Sequence, residues 1–235
     1  VSPTTRRPAR SRPAQSPATT PSRRPLVVAG IVVAVVLAAL LVALVAGSRS
    51  DDDAETSDTA GGTAATVPDD TPATVAGTPL PALPENGADP AVGATMPALS
   101  GTALDGEPVT IPADGRPTMI VYLAHWCPHC QAEVPVVQRW VDDGRLPAGV
   151  DLVAVSTAAD ERRPNYPPAA WLEREGWTAR VLVDGDDAAA TASGVSAFPF
   201  FVAVDGDGTV VARTSGELTP QQLDALAAAV GQSAP

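Results

Sequence analysis

Residues 118–124 form an uninterrupted apolar run, Thr-Met-Ile-Val-Tyr-Leu-Ala, whereas 131–141 place Val134, Val137 and Val141 three and four positions apart. The first pattern predicts a strand buried on both faces, and the second predicts a helix with one apolar stripe and Trp140 beside it. Further runs continue the alternation. Residues 149–156 and 179–183 read as core strands, 167–175 as a helix after a proline-rich loop, and 187–193 as a short helix ended by Gly194. Residues 200–204 and 209–213 suit a hairpin across Asp205-Gly206-Asp207-Gly208, and 96–111 suit another turning at Asp105-Gly106. Residues 219–230 close the chain as a helix. This order predicts an α/β domain, a mixed sheet with helices on both faces, with no internal repeat.

The first ninety residues follow different rules. Residues 1–25 hold six arginines and no acid among many Ser, Thr and Pro, so they predict a disordered basic tail. Residues 26–46 carry no charge. About 21 residues at ~1.5 Å each span roughly 31 Å, the thickness of a bilayer core, so this run predicts one transmembrane helix. A cleaved signal peptide is the rival, but its apolar region is usually shorter. Arginines before the span and acids after it place the N-terminus in the cytoplasm and the rest outside. Residues 47–91, rich in Asp, Thr, Ala, Gly and Pro, predict a flexible tether, leaving 92–235 as the folded domain.

Net charge is −12 over 235 residues, and every one of the 15 basic residues is arginine. The outer part is acidic, which argues against a polyanion such as nucleic acid as its partner. The scattered arginines of the tail are explained by topology and anionic lipid.

Chemistry concentrates in Cys127-Pro128-His129-Cys130, at the junction of the buried strand and its helix. These are the only two cysteines, and a ring closed between them is too small to staple distant segments. A bond that opens and closes is the better use. At the mouth of a helix, unpaired N–H groups and the positive dipole end favour a thiolate, which makes Cys127 the attacking sulfur. Pro128 suits the first turn, where its missing N–H has no partner. His129, when protonated, adds positive charge beside the thiolate. Stabilising the reduced form raises the potential by roughly 30 mV per 1.4 kcal/mol, so Pro-His points towards oxidising power.

Cys130 falls on the stripe of Val134, Val137 and Val141 and reads as the shielded, resolving thiol. Glu133 lies about 60° off that stripe, which predicts a carboxylate at the buried edge that relays protons. The competing reading is an ordinary solvated position. Pro135 removes a hydrogen bond inside the helix and should bend it.

Trp126 and the tetrad, then Glu133-Val134-Pro135, and far downstream Phe198-Pro199-Phe200, resemble the thioredoxin superfamily, specifically the TlpA/ResA-like membrane-anchored thiol-disulfide oxidoreductases. The resemblance covers residues 92–230. It implies a cis Phe198–Pro199 bond facing the sulfurs and offering backbone to client chains, with Trp126, Pro128 and His129 tuning the pair. Two departures stand out. Val121 occupies the place of thioredoxin's buried Asp, so the relay falls to Glu133. The Cys-Pro-His-Cys tetrad is that of DsbA-type oxidants, whereas many TlpA-like relatives are reductants.

Other uses of these residues were weighed against this one. His125, Cys127, His129 and Cys130 lie within six residues, too close to wrap a zinc tetrahedron. Copper(I) needs fewer ligands, which keeps a metallochaperone as an alternative of another class. Gln131 stands where covalent haem attachment needs His. The Asp-Gly runs at 184–187 and 205–208 suit turns better than calcium loops. Trp171 and Trp177 read as packing residues, and His125 as exposed. No cofactor or metal is expected.

The resulting expectation is a single-pass protein of the cell membrane whose extracytoplasmic domain exchanges disulfides with client proteins and a membrane redox partner. The oxidase direction is favoured. Reduction for cytochrome c maturation or disulfide repair is the alternative.

Overall fold

The computed structural model describes residues 67–112 and 115–231. The expected basic tail, the transmembrane anchor at 26–46 and the tether up to residue 66 lie outside the described residues. Among the described residues no helix is long and apolar enough to cross a membrane.

A five-stranded mixed sheet carries the domain, in the order β6-β5-β4-β7-β8. The strands are β4 (Thr118–Leu123), β5 (Asp151–Thr157), β6 (Arg180–Asp184), β7 (Phe200–Val204) and β8 (Val210–Ser215). β4 is central and buried at all six positions, as an unbroken apolar run requires when both faces are covered. β5 runs parallel to β4 and β6 parallel to β5, while β7 and β8 return antiparallel. Alternation then divides the core. Met119, Val121 and Leu123 face one way, and Ile120 and Tyr122 the other.

On the first face pack α1 (Pro128–Asp142), α2 (Pro168–Arg174) and α4 (Pro220–Gly231). α1 buries Cys130, Val134 and Val137 of the predicted stripe and Trp140 beside it, leaves Val141 half-buried, and contains Pro135. It ends where Gly144 adopts φ 70° and donates its N–H to Val141. The Trp140 indole N–H donates to Asp224 at 2.9 Å, tying α1 to α4. Trp171 is buried in the same core and Trp177 packs against it, in keeping with packing roles.

The second face also carries a helix, as expected, but among the described residues it is the five-residue α3 (Ala188–Ala192) alone. A three-stranded antiparallel sheet of β1 (Thr74–Ala76), β2 (Ala98–Thr102) and β3 (Pro108–Ile111) does most of the covering, through Leu99, Val109 and Ile111.

The expected tether at 47–91 is corrected over its described part, 67–91, which is built into the domain. β1 pairs with β2 in register Val75 to Leu99. Val67, Ala73, Leu80 and Ala91 are buried. Backbone bonds fasten the segment along its length: Gly185 N–H to Thr71 C=O at 2.9 Å, Leu80 N–H to Ala192 C=O at 2.8 Å and Leu83 N–H to Gly194 C=O at 3.3 Å; just beyond it, Gly93 N–H bonds Val210 C=O at 2.9 Å and Met96 N–H bonds Gly208 C=O at 2.8 Å. The Arg213 side chain, fully buried on β8, makes paired bonds to the Asp89 carboxylate and donates to the carbonyls of Pro81 and Ser193. The approach is close enough to demand glycine. A Cβ on Gly185 would lie 2.3 Å from the backbone of Asp70, and one on Gly194 would lie 2.3 Å from the Pro81 oxygen. Few large apolar residues mark this segment, because main-chain hydrogen bonds and one ion pair hold it.

Candidate active site

The site grows from the end of β4. The chain leaves the strand at Ala124, and Cys127 becomes the N-cap of α1 with φ −75° and ψ 121°, the non-helical conformation of a cap. Its N–H donates to Ala124 and its carbonyl accepts from Gln131. Pro128 follows at the first helical position, as predicted. No side chain caps the first turn, so its free N–H groups and the positive end of the helix dipole act on the Cys127 sulfur.

Both cysteines are free thiols. Cys127 keeps 7% exposure and Cys130 none, so one sulfur is reachable and the other is sealed one turn behind it. Burial pushes the Cys130 thiol well above the usual range, with the charges of Cys127 and Glu133 adding to the effect. The Phe198–Pro199 bond is cis, as the resemblance implied. The Phe198 carbonyl oxygen lies 3.7 Å from the Cys127 Sγ, and the Pro199 carbonyl accepts from the Gly216 N–H at 2.9 Å. Phe198 also meets the Trp126 ring edge-on, with centroids 6.3 Å apart.

Trp126 is held from two sides. Its indole N–H donates to the Ala158 carbonyl at 2.7 Å, and the Arg163 guanidinium lies 4.3 Å from the ring centroid. Glu133 is buried, at 1% exposure, which rules out the solvated reading. Its Oε2 accepts the Leu218 N–H at 3.0 Å, while Oε1 has no partner. Burial pushes its pKa up to about 7, with the charge of Glu217 raising it further. Three carboxyl residues are buried among the described residues, Glu133, Asp184 and Asp205. Asp184 accepts the first N–H groups of α3, and Asp205 accepts those of its own turn. That leaves Glu133 as the buried acid of the sulfur side, with Val121 packed in the same core.

His125 corrects an expectation. It is buried at 1% exposure, not on the surface, because both ring nitrogens have partners in the loop after β5. Nδ1 bonds the Pro164 carbonyl at 2.8 Å, and Nε2 accepts the Asp160 N–H at 3.1 Å. Since a carbonyl can only accept, the proton sits on Nδ1. A ring committed in this way is not free to bind metal beside the thiols. His129 is exposed, as a surface partner of Glu217, whose Oε1 lies 2.7 Å from its Nδ1. Glu217, Leu218, Arg163 and the role of His125 were not visible from the sequence. Glu217, Leu218 and Arg163 sit in loops with no repeating pattern and reach the motif from more than 30 residues away, and His125 is fixed by partners equally distant, Asp160 and Pro164.

The family model described as Redoxin matches residues 91–229. The chain belongs to the Redoxin family. Methylamine utilization protein MauD of Methylobacillus flagellatus is 28% identical over 131 residues, which are 53% of this chain and 57% of that protein. The chain thus spans little more than half the length of this curated relative. Among solved structures, a candidate thioredoxin from Neisseria meningitidis superposes with a TM-score of 0.51 at 23% identity, over 59% of this chain and 91% of that one. A candidate thiol:disulfide interchange protein DsbE from Chlorobium tepidum gives 0.50 at 20% identity, over 60% and 98%. At these identities the likeness shows the fold, and the fold is thioredoxin-like. The family match begins at residue 91, whereas the packed structure extends back to Val67.

Proposed function

We propose that this chain is a membrane-anchored, extracytoplasmic protein thiol-disulfide oxidoreductase acting through Cys127 and Cys130, with client proteins and a membrane redox partner on either side of the exchange. The reading rests on one observation above others: the N-cap residue of α1 carries a slightly exposed thiol, while the second thiol is sealed behind it next to a buried carboxyl. In the reducing direction the Cys127 thiolate attacks a client disulfide, forming a mixed disulfide and releasing one client thiolate. Cys130 then loses its proton and attacks the Cys127 sulfur, which forms the Cys127–Cys130 disulfide and releases the second client thiol. Two electrons pass to the client. The oxidising direction is the reverse.

Glu133 is the candidate proton carrier for Cys130, because a carboxyl near pH 7 can both take and return a proton at neutral pH. Phe198 and Pro199 present backbone beside the sulfur, where a client strand can dock. The Cys130→Ala variant should trap a covalent adduct through Cys127, visible on non-reducing gels. Absence of any adduct with disulfide-bearing clients in excess would count against this order of attack.

Direction divides two readings. The Pro-His pair at the helix mouth favours an oxidant, whereas Glu217 beside His129 offsets the imidazolium charge and favours a reductant for cytochrome c maturation or disulfide repair. A redox titration separates them: a potential near about −120 mV supports disulfide donation, and one near about −270 mV supports reduction. Labelling from the two sides of intact cells tests the topology, and a cytoplasmic location of the 67–231 domain would sink the extracytoplasmic assignment.

A further inference from the structure

Three short contacts converge on residues 216–218, the link between β8 and α4. The Gly216 N–H donates to the Pro199 carbonyl at 2.9 Å, the Leu218 N–H to Glu133 at 3.0 Å, and the Glu217 carboxylate meets the His129 ring at 2.7 Å. One tripeptide therefore touches the cis-proline loop, the buried acid and the second variable residue of the motif. Its only charged member is placed against the only residue of the tetrad able to carry a positive charge. Neither the fold nor the packing requires this. Glu217 and His129 are both exposed, at 50% and 68% of their side chains, so water could solvate each alone.

We propose that Glu217 is a positioning residue that lowers the oxidising strength of the Cys127–Cys130 pair by holding and offsetting the charge of His129. This rests on the exchange function proposed above. The thiolate of the reduced pair gains from every nearby positive charge and loses from every negative one. A His129 imidazolium left unpaired would stabilise the reduced form and raise the potential. Where His129 is protonated, the Glu217 carboxylate, 2.7 Å from its Nδ1, offsets part of that charge. The same carboxylate also adds negative charge near Glu133. The result is a motif whose tetrad favours oxidation and whose neighbouring loop pulls it back.

The test is the equilibrium of the chain with a series of glutathione buffers, read as reduced and oxidised Cys127–Cys130. Glu217→Gln keeps a side chain that can bond His129 but removes the charge. It should shift the equilibrium towards the reduced pair by about two- to fivefold, the range an exposed ion pair commands, or roughly 10 to 20 mV at ~29.6 mV per tenfold. Glu217→Asp should return most of the way to the wild-type value. In a His129→Gln background the Glu217→Gln shift should shrink to less than half.

An unchanged equilibrium in Glu217→Gln, or an equal shift with and without His129, overturns the inference while leaving the exchange function intact. A wild-type pair that does not cycle in these buffers at all sinks both. Raised salt offers an independent reading, because screening should narrow the difference between wild type and Glu217→Gln.

Discussion

Asp89 and Glu133 are two carboxylates drawn out of water in different parts of the domain, and their surroundings differ in one respect. Asp89 meets the buried Arg213 guanidinium with paired bonds and also accepts the Ala91 N–H, so both of its oxygens are answered. Arg213 holds it below the usual carboxylate range in spite of burial. Glu133 receives one backbone N–H and nothing on Oε1, and burial pushes it up to about 7. A fully answered carboxylate is a fixture of the fold. A half-answered one keeps its proton within easy reach, which is what the exchange proposed above requires.

The largest expected effect comes from breaking the first pair. Arg213→Ala leaves Asp89 without its partner and frees the segment near Pro81, and urea unfolding should show a loss of about 3 to 5 kcal/mol. A loss below about 1 kcal/mol would mean that the ion pair is not what holds that segment.

Next is Glu133. Its folded pKa lies above its ordinary 4.5, so the native state holds the proton more tightly than the unfolded chain. The associated stability is present below pH 4.5 and is lost as pH rises through about 7. Glu133→Gln should flatten that decline, which is about 3 kcal/mol for a shift of this size. It should also slow the release of mixed disulfides near neutral pH, measured by quenched-flow alkylation, by tenfold or more.

Asp89 should show the opposite sign. Its pKa is depressed, so its contribution is present above the ordinary carboxylate value and is lost as pH falls through the folded value. Asp89→Asn should shrink the acid-side loss of stability, followed as urea midpoints between pH 5 and pH 2. If both variants changed the same limb of the pH profile, the contrast between the two carboxylates would fail. The smallest effect is expected for Trp126→Phe, which loses the bond to Ala158 and costs about 1 kcal/mol, with a measurable change in client affinity beside Cys127.

The sequence carried the central part of the domain well. β4, α1, β5, β6 and the β7–β8 hairpin fall where runs and spacings put them, because burial on one or two faces imposes a period that survives in the residues. Cys127, Pro128, Cys130 and Glu133 were legible for the same reason, being placed by a helix whose register is set by Val134 and Val137. The segment before Pro97 was not legible. Asp89 finds Arg213 124 positions away, and small residues let its backbone lie against Gly185 and Gly194. Contacts of that kind leave no period to read. His125 was misjudged because a polar residue beside a motif resembles surface until its partners, Pro164 and Asp160, are seen. Glu217 gave no signal, since one acid in a link between strand and helix resembles any other.

The bonds that the N-terminal segment makes to β8 have a further consequence. Gly93 and Ala94 occupy the outer side of Val210, and Leu104 donates to Val181 on β6 while Ala103 bridges Leu182. Both marginal strands of the five-stranded sheet thus have part of their length engaged by the protein's own backbone. An open strand margin invites pairing with a neighbouring molecule, and occupying it in advance is a defence against aggregation. Under the exchange function proposed above, margins already occupied leave the backbone beside Cys127 as the open place for an extended client chain.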